Sequence, residues 1–124
     1  MLTTSTGTPT RDEAARIEAA KVGPCMACLI LNLRGVLTAD QVVYGCDYQH
    51  CKSGNRRRGH AFGFALCVWH HRHQPMGGLS FRETAARYGP SLMDGSRQFH
   101  EVYGTDDELI EQQTVVIEMR QAAA

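Results

Sequence analysis

Residues 49–73 read Gln-His-Cys-Lys-Ser-Gly-Asn-Arg-Arg-Arg-Gly-His-Ala-Phe-Gly-Phe-Ala-Leu-Cys-Val-Trp-His-His-Arg-His, and this stretch decides the fold. It contains five of the six histidines of the chain, two of its five cysteines and five basic residues, but no acidic residue. Histidine and cysteine bind transition metals, and clustered basic side chains attract phosphate. The stretch therefore combines metal binding with phosphate attraction.

Two pairs of metal ligands share the same spacing. Cys25 and Cys28 lie three positions apart directly after a Gly-Pro pair, and Cys67 and His70 repeat that spacing inside the stretch. Three thiolates and one imidazole complete a tetrahedral Cys3His set, which is typical of a structural zinc site with no open position for catalysis. Because the two pairs are far apart in the chain, zinc is predicted to clamp the ends of an inserted strand-loop-strand unit.

The remaining cysteines leave alternatives open. An odd number of cysteines that includes a Cys-x-x-Cys pair favours metal binding over a disulfide framework. A redox or buried thiol pair is the alternative for Cys25 and Cys28, but no thioredoxin-type strand and helix surround them. Cys46 and Cys51, on either side of His50, are predicted to be free thiols, with a second metal-binding pair as the alternative.

The stretch predicts two strands and a helix. A strand over residues 46–50 carries His50, and the polar, glycine-bracketed residues 52–59 form a surface loop. Residues 61–66 form a second strand that pairs back on the first. Residues 67–73 then have room for about two helical turns before the next proline.

His71 is left over once His70 binds zinc. As the neighbour of a helical ligand it points about 100° away around the helix axis, so it can face the strand that carries His50. A histidine on a strand, a basic loop and a histidine on the next helix form the ββα-metal arrangement. Its chemistry suits phosphodiester cleavage, because a neutral imidazole activates water near pH 7 and a divalent metal stabilises charge on the phosphate.

These motifs resemble the HNH nuclease superfamily and, more narrowly, phage Ref-type proteins, which are RecA-dependent recombination-enhancement nucleases. The similarity covers roughly residues 23–112. The segments that carry it are Gln49-His50, residues 54–60, residues 66–72, Phe99-x-x-x-Tyr103-Gly104-Thr105 and Glu108-Leu109. The implied fold class is α+β, with a small zinc-stabilised HNH ββα-metal core and flanking helices.

The resemblance implies a role for each matching residue. His50 is the general base, His71 is a ligand of a catalytic Mg2+ or Mn2+, and the structural zinc ligands are Cys25, Cys28, Cys67 and His70. The chain departs from the pattern at Gln49, where HNH sites usually carry His or Asp as the other metal ligand. Either the Gln49 amide binds the metal, or Asp47 on the same strand face substitutes, or metal affinity is reduced. We expect Gln49 to supply the position and Asp47 the charge.

The residue that orients the base and the residues that bind phosphate can also be predicted. His60, at the start of the second strand, is the first candidate for orienting His50, and Asn55 is the second because it resembles a turn residue. The predicted phosphate ligands are Lys52, Arg56, Arg57, Arg58 and Arg72. Contacts with about four phosphates predict a marked salt dependence, and no residue indicates base-specific contacts.

Length and charge limit the number of domains and the kinds of partner that the chain can have. The 124 residues predict a disordered tail over residues 1–9 and one domain over residues 10–124. The formal net charge is zero, but residues 23–73 carry six Lys/Arg against two Asp/Glu, and residues 74–124 carry four against eight. Neither a signal peptide nor a membrane-spanning run is visible, so a cytoplasmic protein is expected.

Outside the central stretch, capping boxes mark helices. Three Ser or Thr residues each precede a glutamate by three positions, which predicts helices over residues 10–22, 80–88 and 105–119. A short helix is predicted over residues 97–103. Residues 29–44 are expected to form a connection that leads into a strand around residues 41–44.

Two functions follow from these observations. The first is a metal-dependent DNA endonuclease of the HNH type, with RecA as the partner implied by resemblance alone. The second is a zinc-stabilised DNA- or protein-binding module with impaired cleavage, which Gln49 favours. A nucleic-acid deaminase is excluded because the sequence has no His-x-Glu motif.

Overall fold

An antiparallel hairpin and the helix that follows it lie at the centre of the fold. The structure is a computed structural model that describes residues 7–53 and 56–124, with the backbone alone at residues 53, 56 and 57. The four strands of this part are β1 (Asp47–His50), β2 (Lys52–Ser53), β3 (Arg56–Arg57) and β4 (Gly63–Leu66). β1 pairs antiparallel with β4, and β2 pairs antiparallel with β3.

Helices make up most of the remaining described structure. The α-helices are α1 (Arg11–Val22), α2 (Met26–Leu33), α3 (Val68–Arg72), α4 (Phe81–Tyr88), α5 (Ser96–Tyr103) and α6 (Asp106–Ala123). Short 3-10 helices cover Ala39–Gln41 and Leu92–Asp94. The fold is therefore α+β, as the sequence predicted, and no helix within the described residues is long and apolar enough to cross a membrane.

The register of the hairpin sets the direction of each site residue. Asp47 pairs with Leu66, and His50 at the other end of β1 pairs with Gly63. Successive side chains of a strand point to opposite faces. Asp47 and Gln49 therefore share one face of β1, and His50 belongs to the other.

The core lies around β4, α2 and α3. Its largest fully buried apolar side chains are Trp69, Phe64, Phe99, Met26, Leu66 and Leu109. The buried indole of Trp69 donates a hydrogen bond to the Gly89 carbonyl at 2.9 Å, which satisfies its one polar atom. α6 is attached to β4 by the Gln113 side chain, whose Oε1 accepts from the Ala65 amide at 2.8 Å. The hairpin is thus covered by helices from both ends of the chain.

The capping predictions are confirmed. Thr10, Ser80 and Thr105 each accept from the backbone of a glutamate three residues later, and each glutamate side chain accepts in return from the cap backbone. The backbone amides of the cap residue and of the glutamate have no partner within the helix, and each has a hydrogen bond in this arrangement. The last helix continues to Ala123, beyond the predicted end at residue 119, because no glycine or proline interrupts it.

The prediction for residues 29–44 is wrong. Met26–Leu33 forms α2, and Gln41 ends a 3-10 helix rather than starting a strand. Tyr44 makes an isolated bridge to Pro24 instead of joining the hairpin. The apolar run was ambiguous, since short apolar segments fit a buried helix as well as a strand.

Candidate zinc cluster and active site

The four predicted zinc ligands converge on one point in the core. The ligand atoms of Cys25, Cys28, Cys67 and His70 all lie within 4.8 Å of one another. The Cys28 and Cys67 sulfurs are 4.0 Å apart, and His70 Nδ1 is 3.2 Å from the Cys67 sulfur. A tetrahedral zinc with bonds of about 2.3 Å to sulfur and about 2.0 Å to nitrogen sets these edges at about 3.8 and 3.5 Å. The cluster therefore has the size that a structural zinc requires.

Each half of the cluster is built at the start of a helix. The Cys25 sulfur caps α2 by accepting from the Cys28 amide at 3.4 Å, and the Cys67 sulfur caps α3 by accepting from the His70 amide at 3.5 Å. This capping turns the second ligand of each pair back toward the first. The three-residue spacing seen in the sequence is thus the geometry of a first helical turn.

A second layer of contacts fixes the tautomer of His70. Its Nε2 lies 2.8 Å from the Tyr88 carbonyl, which can only accept, so Nε2 carries the proton. The Tyr103 hydroxyl lies 3.2 Å from the same nitrogen. Nδ1 is left as the atom that faces the sulfurs, as metal-binding histidines require.

The burial of the cluster favours a bound cation over three separate thiolates. Desolvation raises the pKa of the Cys25 thiol well above its ordinary value, and the neighbouring sulfurs of Cys28 and Cys67 raise it further. Three thiolates at this distance repel one another in a medium of low dielectric constant. A bound divalent cation removes that repulsion, which is why the donor set fits zinc.

Beside the cluster, His71 faces strand β1. Its Nδ1 lies 2.8 Å from Oδ2 of Asp47, and Arg72 Nε reaches the same oxygen at 2.8 Å. Burial by itself raises the pKa of Asp47, but the His71 hydrogen bond and the Arg72 charge outweigh it, so the pKa is lowered. The Asp47 carboxylate is therefore held in its charged form next to an imidazole. Asp47, rather than Gln49, makes this contact.

His50 belongs to a different group of contacts. Its Nε2 lies 3.2 Å from Nδ1 of His60, and His60 Nε2 lies 2.7 Å from the carbonyl of Gly7. The edge of the His50 ring packs against the ring of Tyr48, with centroids 5.1 Å apart. The Tyr48 hydroxyl donates to the His60 carbonyl at 2.7 Å. His60 thus lies against His50, where the sequence placed its first candidate for the orienting residue.

Arg16 supports this group and was not identified from the sequence. Its side chain donates to the Tyr48 hydroxyl at 3.2 Å, to the Gly63 carbonyl at 2.9 Å and to the Thr114 hydroxyl at 2.7 Å. It therefore joins α1 and α6 to the end of the hairpin that carries His50. An arginine in an Ala- and Glu-rich helix looks like a solvated surface charge, so the sequence carries no signal for this role.

Gln49 lines a cavity beside the hairpin. Its amide nitrogen donates to the His50 carbonyl at 3.0 Å. The cavity holds about 280 Å³, with Phe64 at its floor and the exposed Lys52 at its rim. His71 does not line this cavity, and its contact on β1 is Asp47.

The predicted phosphate ligands divide into three groups. Lys52 is exposed, whereas Arg58 forms an ion pair with Asp107 and lies over the Phe62 ring, and Arg72 is paired with Asp47. The side chains of Arg56 and Arg57 lie outside the described residues, as does Asn55. Two of the arginines therefore have acidic partners that a phosphate would have to replace.

Other residues from the sequence analysis have structural surroundings. His73 stacks on Trp69 with ring centroids 4.3 Å apart, and its Nε2 lies 3.4 Å from Asp94. Trp69 is fully buried. Among the described residues, Cys46 and Cys51 belong to no group of three or more metal ligands, and the free-thiol interpretation stays a prediction.

The buried Cys3His cluster brings the N-termini of α2 and α3 together beside the antiparallel hairpin. The protein is therefore a small α+β protein with a buried cluster suited to zinc. Residues 9–118 match the family described as "Recombination enhancement, RecA-dependent nuclease". The match spans most of the chain, so the chain belongs to this family of RecA-dependent nucleases. A comparison with curated proteins finds no match.

Proposed function

We propose that this chain is a metal-dependent DNA endonuclease of the HNH type, in which His50 is the general base for phosphodiester hydrolysis. The observation that carries the proposal is the chain of hydrogen bonds from His50 through His60 to the Gly7 carbonyl. A histidine held by a second histidine at the end of a strand has a fixed ring orientation. Such a ring is suited to accept a proton from water near neutral pH.

The directions that these hydrogen bonds can take support an inference about the proton-accepting atom. The Gly7 carbonyl can only accept, so His60 Nε2 carries a proton and, in the neutral ring, His60 Nδ1 is an acceptor. His50 Nε2 must then be the donor toward His60 at 3.2 Å. Nδ1 of His50 is left as the basic nitrogen. His60 therefore positions the base and selects its tautomer, and Tyr48 and Arg16 position His60.

Asp47 and His71 are the residues that would hold a catalytic Mg2+ or Mn2+, with the Gln49 amide on the same strand face. The Asp47 carboxylate can only accept, so His71 Nδ1 carries the proton of their 2.8 Å contact, and Nε2 is the nitrogen that would bind a divalent cation while Asp47 holds the ring. When bound, the ion stabilises negative charge that develops on the phosphate. Asp47 supplies the negative charge that the neutral Gln49 lacks.

The substrate class follows from the family and from the charge of the hairpin. Lys52, Arg58 and Arg72 lie on or beside the strands that carry the candidate site, and they supply positive charge for a DNA backbone. Because Arg58 and Arg72 have acidic partners, DNA has to compete with Asp107 and Asp47 for them. We expect DNA held in a RecA filament to be the substrate, in keeping with the family description.

The test is cleavage of plasmid DNA and of RecA-coated single-stranded DNA, with and without Mg2+ or Mn2+, by the wild type and by His50→Ala. Loss of a general base lowers the cleavage rate by about 10²–10⁴-fold. The control is His73→Asn, because His73 is a nearby histidine whose partner is Asp94, and asparagine tolerates its left-handed backbone, φ 61°. Wild-type rates in His50→Ala would remove His50 from the proposed role.

The metal assignment has its own test. In His71→Ala, the Mg2+ concentration for half-maximal cleavage is expected to rise by at least about tenfold, equivalent to about 1.4 kcal/mol of binding free energy. His73→Asn is expected to leave that concentration unchanged. An unchanged metal requirement in His71→Ala would exclude it as a ligand, even if His50 remained essential.

A zinc-stabilised DNA- or protein-binding module with impaired cleavage is the second candidate. Two observations favour it: Gln49 is uncharged, and Asp47 and His50 point to opposite faces of β1. In that case the protein binds DNA and one zinc but cleaves neither substrate at any metal concentration. The same cleavage assay therefore separates the two functions.

A further inference from the structure

An apolar groove lies between α2 and the second half of α6, built by elements other than the hairpin. It holds about 670 Å³ and is lined on one side by Leu29, Leu33 and Tyr44. Leu33 and Tyr44 are largely exposed there, together with Val115 and Met119 on the α6 side. Exposed apolar side chains that form one continuous patch mark protein contact surfaces.

The face of α6 that lines this groove changes from acidic to apolar along the helix. Glu108, Glu111, Val115 and Met119 follow one another at spacings of three or four residues, which places them on one helix face. The stripe is acidic near the start of the helix and apolar toward its end. Arg120, beyond the apolar part, lies over the Tyr44 ring at 5.7 Å. The groove therefore offers an apolar floor with an acidic rim at one end.

The charge of the rim selects the kind of partner. Glutamates repel a phosphate backbone, so the groove does not suit DNA, whereas Lys52, Arg58 and Arg72 supply positive charge on other elements. An apolar floor beside two carboxylates complements a protein segment with apolar side chains followed by Lys or Arg. A filament of protein on DNA offers both kinds of surface at once.

We propose that the groove between α2 and α6 docks RecA, while the basic hairpin contacts the DNA. This inference rests on the proposed function, because it takes RecA-bound DNA as the substrate. The family description states RecA dependence, and a surface that binds RecA would let the protein distinguish coated from naked DNA. The groove supplies that surface, and Met119 and Val115 are its apolar contacts.

The test measures binding in the His50→Ala background, so that docking is observed without cleavage. Biotinylated single-stranded DNA is immobilised either naked or coated with RecA in the presence of a slowly hydrolysed ATP analogue. Met119→Glu is expected to weaken binding to the coated strand by about tenfold or more, because it would bury an unpaired charge in the apolar contact. Binding to the naked strand is expected to change by less than about twofold.

Met93→Glu is the matched control. Met93 is 69 % exposed and Met119 is 66 % exposed, so the two substitutions add the same charge at equal cost to folding. Met93→Glu is expected to bind both strands like its parent. Glu111→Lys is expected to weaken binding to the coated strand, since it reverses the acidic rim. Zinc content and thermal melting of each variant confirm an intact fold.

Three outcomes would overturn the proposal. Equal binding of Met119→Glu and its parent to the coated strand removes the groove from docking. Tighter binding of Glu111→Lys to the coated strand shows that the groove meets DNA instead. A dimer in light scattering that Met119→Glu converts to a monomer shows that a second copy of the chain occupies the groove. None of these outcomes depends on cleavage, so failure of docking and failure of the nuclease proposal are separable.

Discussion

Compared with the histidine groups of the hairpin, the Cys3His cluster is dry and closed. Cys25, Cys28, Cys67 and His70 are each 0 % exposed, whereas the side chains of His71 and Asp47 are 26 % and 31 % exposed. Every donor atom of the cluster faces the other donors or a protein hydrogen-bond partner. The pair of Asp47 on β1 and His71 on α3 is partly exposed to solvent.

Two neighbouring residues show what this difference means. His70 and His71 are adjacent in sequence, but the first points into the core and the second toward β1 at the surface. An imidazole with both nitrogens committed can hold a cation that never exchanges. A partly exposed imidazole beside a carboxylate can gain or lose a ligand without unfolding the protein. The same side chain therefore belongs to a buried cluster at one position and to a partly exposed pair at the next.

Removing a ligand of the closed cluster is expected to have the largest effect. Structural zinc contributes about 10–16 kcal/mol of apparent binding free energy in small zinc peptides, and a domain of this kind has a net stability of about 5–15 kcal/mol. Cys28→Ser is therefore expected to lose both its zinc and its cooperative unfolding transition. Metal analysis and thermal denaturation followed by circular dichroism measure these two properties.

Cys46→Ser is the control for that experiment, because Cys46 is half-buried and lies outside the cluster. It is expected to keep one zinc per chain and to melt close to the wild type. Folded Cys28→Ser protein without zinc would show that burial alone, and not the metal, holds the two helix starts together.

A substitution at Gly63, beside Tyr48 in the hairpin, is expected to have an intermediate effect. A Cβ atom at Gly63 would lie 2.5 Å from the Gln49 carbonyl oxygen and 2.5 Å from the Tyr48 ring. Overpacking of this kind costs about 1–3 kcal/mol, and the Tyr48 ring has to move away from His50 and His60. Gly63→Ala is therefore expected to keep its zinc, to melt at lower temperature and to cleave DNA at least about tenfold more slowly.

Zinc content, melting temperature and cleavage rate are measured on one preparation of Gly63→Ala. Its zinc content is expected to equal that of the wild type, because Gly63 lies outside the Cys3His cluster. Loss of zinc in this variant would mean that the two regions are coupled more tightly than their separate contacts indicate. Full cleavage activity would mean that the position of Tyr48 does not matter for His50.

The smallest effect is expected at the ion pair that holds Arg58. Asp107→Asn frees Arg58 for phosphate, so affinity for DNA should rise a few-fold and the salt dependence should steepen by about one phosphate contact. Binding measured over a range of salt concentrations gives both quantities. Glu101→Gln removes the same charge and frees Arg97, which lies outside the hairpin, so it is expected to leave DNA binding unchanged. An equal gain in DNA affinity in both variants would indicate that the lower negative charge of the protein, and not the release of Arg58, raises the affinity.

Local signals in the sequence were sufficient for most of the fold. The hairpin, the helix with His70 and His71, and the three capping boxes all follow from motifs of a few neighbouring residues. α2 was missed because its cap is the Cys25 sulfur, and cysteine is not a usual capping residue. The helix start depends on a ligand whose partners lie about forty residues away, which no local pattern reveals.

The candidate site was predictable in its residue types and not in its pairings. The sequence predicted that His71 would face His50, but His71 contacts Asp47, whose side chain lies on the opposite face of β1 from His50. The sequence also could not show that Gly7 would accept from His60. The role of Arg16 was equally hidden, since its partners come from β1, β4 and α6. Side chains that meet across several elements leave no periodicity in any one of them.

By itself, the sequence determined the four residues of the Cys3His cluster, the order of strands and helix around them and the basic character of the loop. Ligand spacing is a property of a single helical turn, so it can be read from neighbouring residues. The tertiary structure decided which partner each histidine has and where an apolar face is left uncovered. Those outcomes depend on how α1 and α6 pack against the hairpin, and packing of distant segments is set by the whole chain at once.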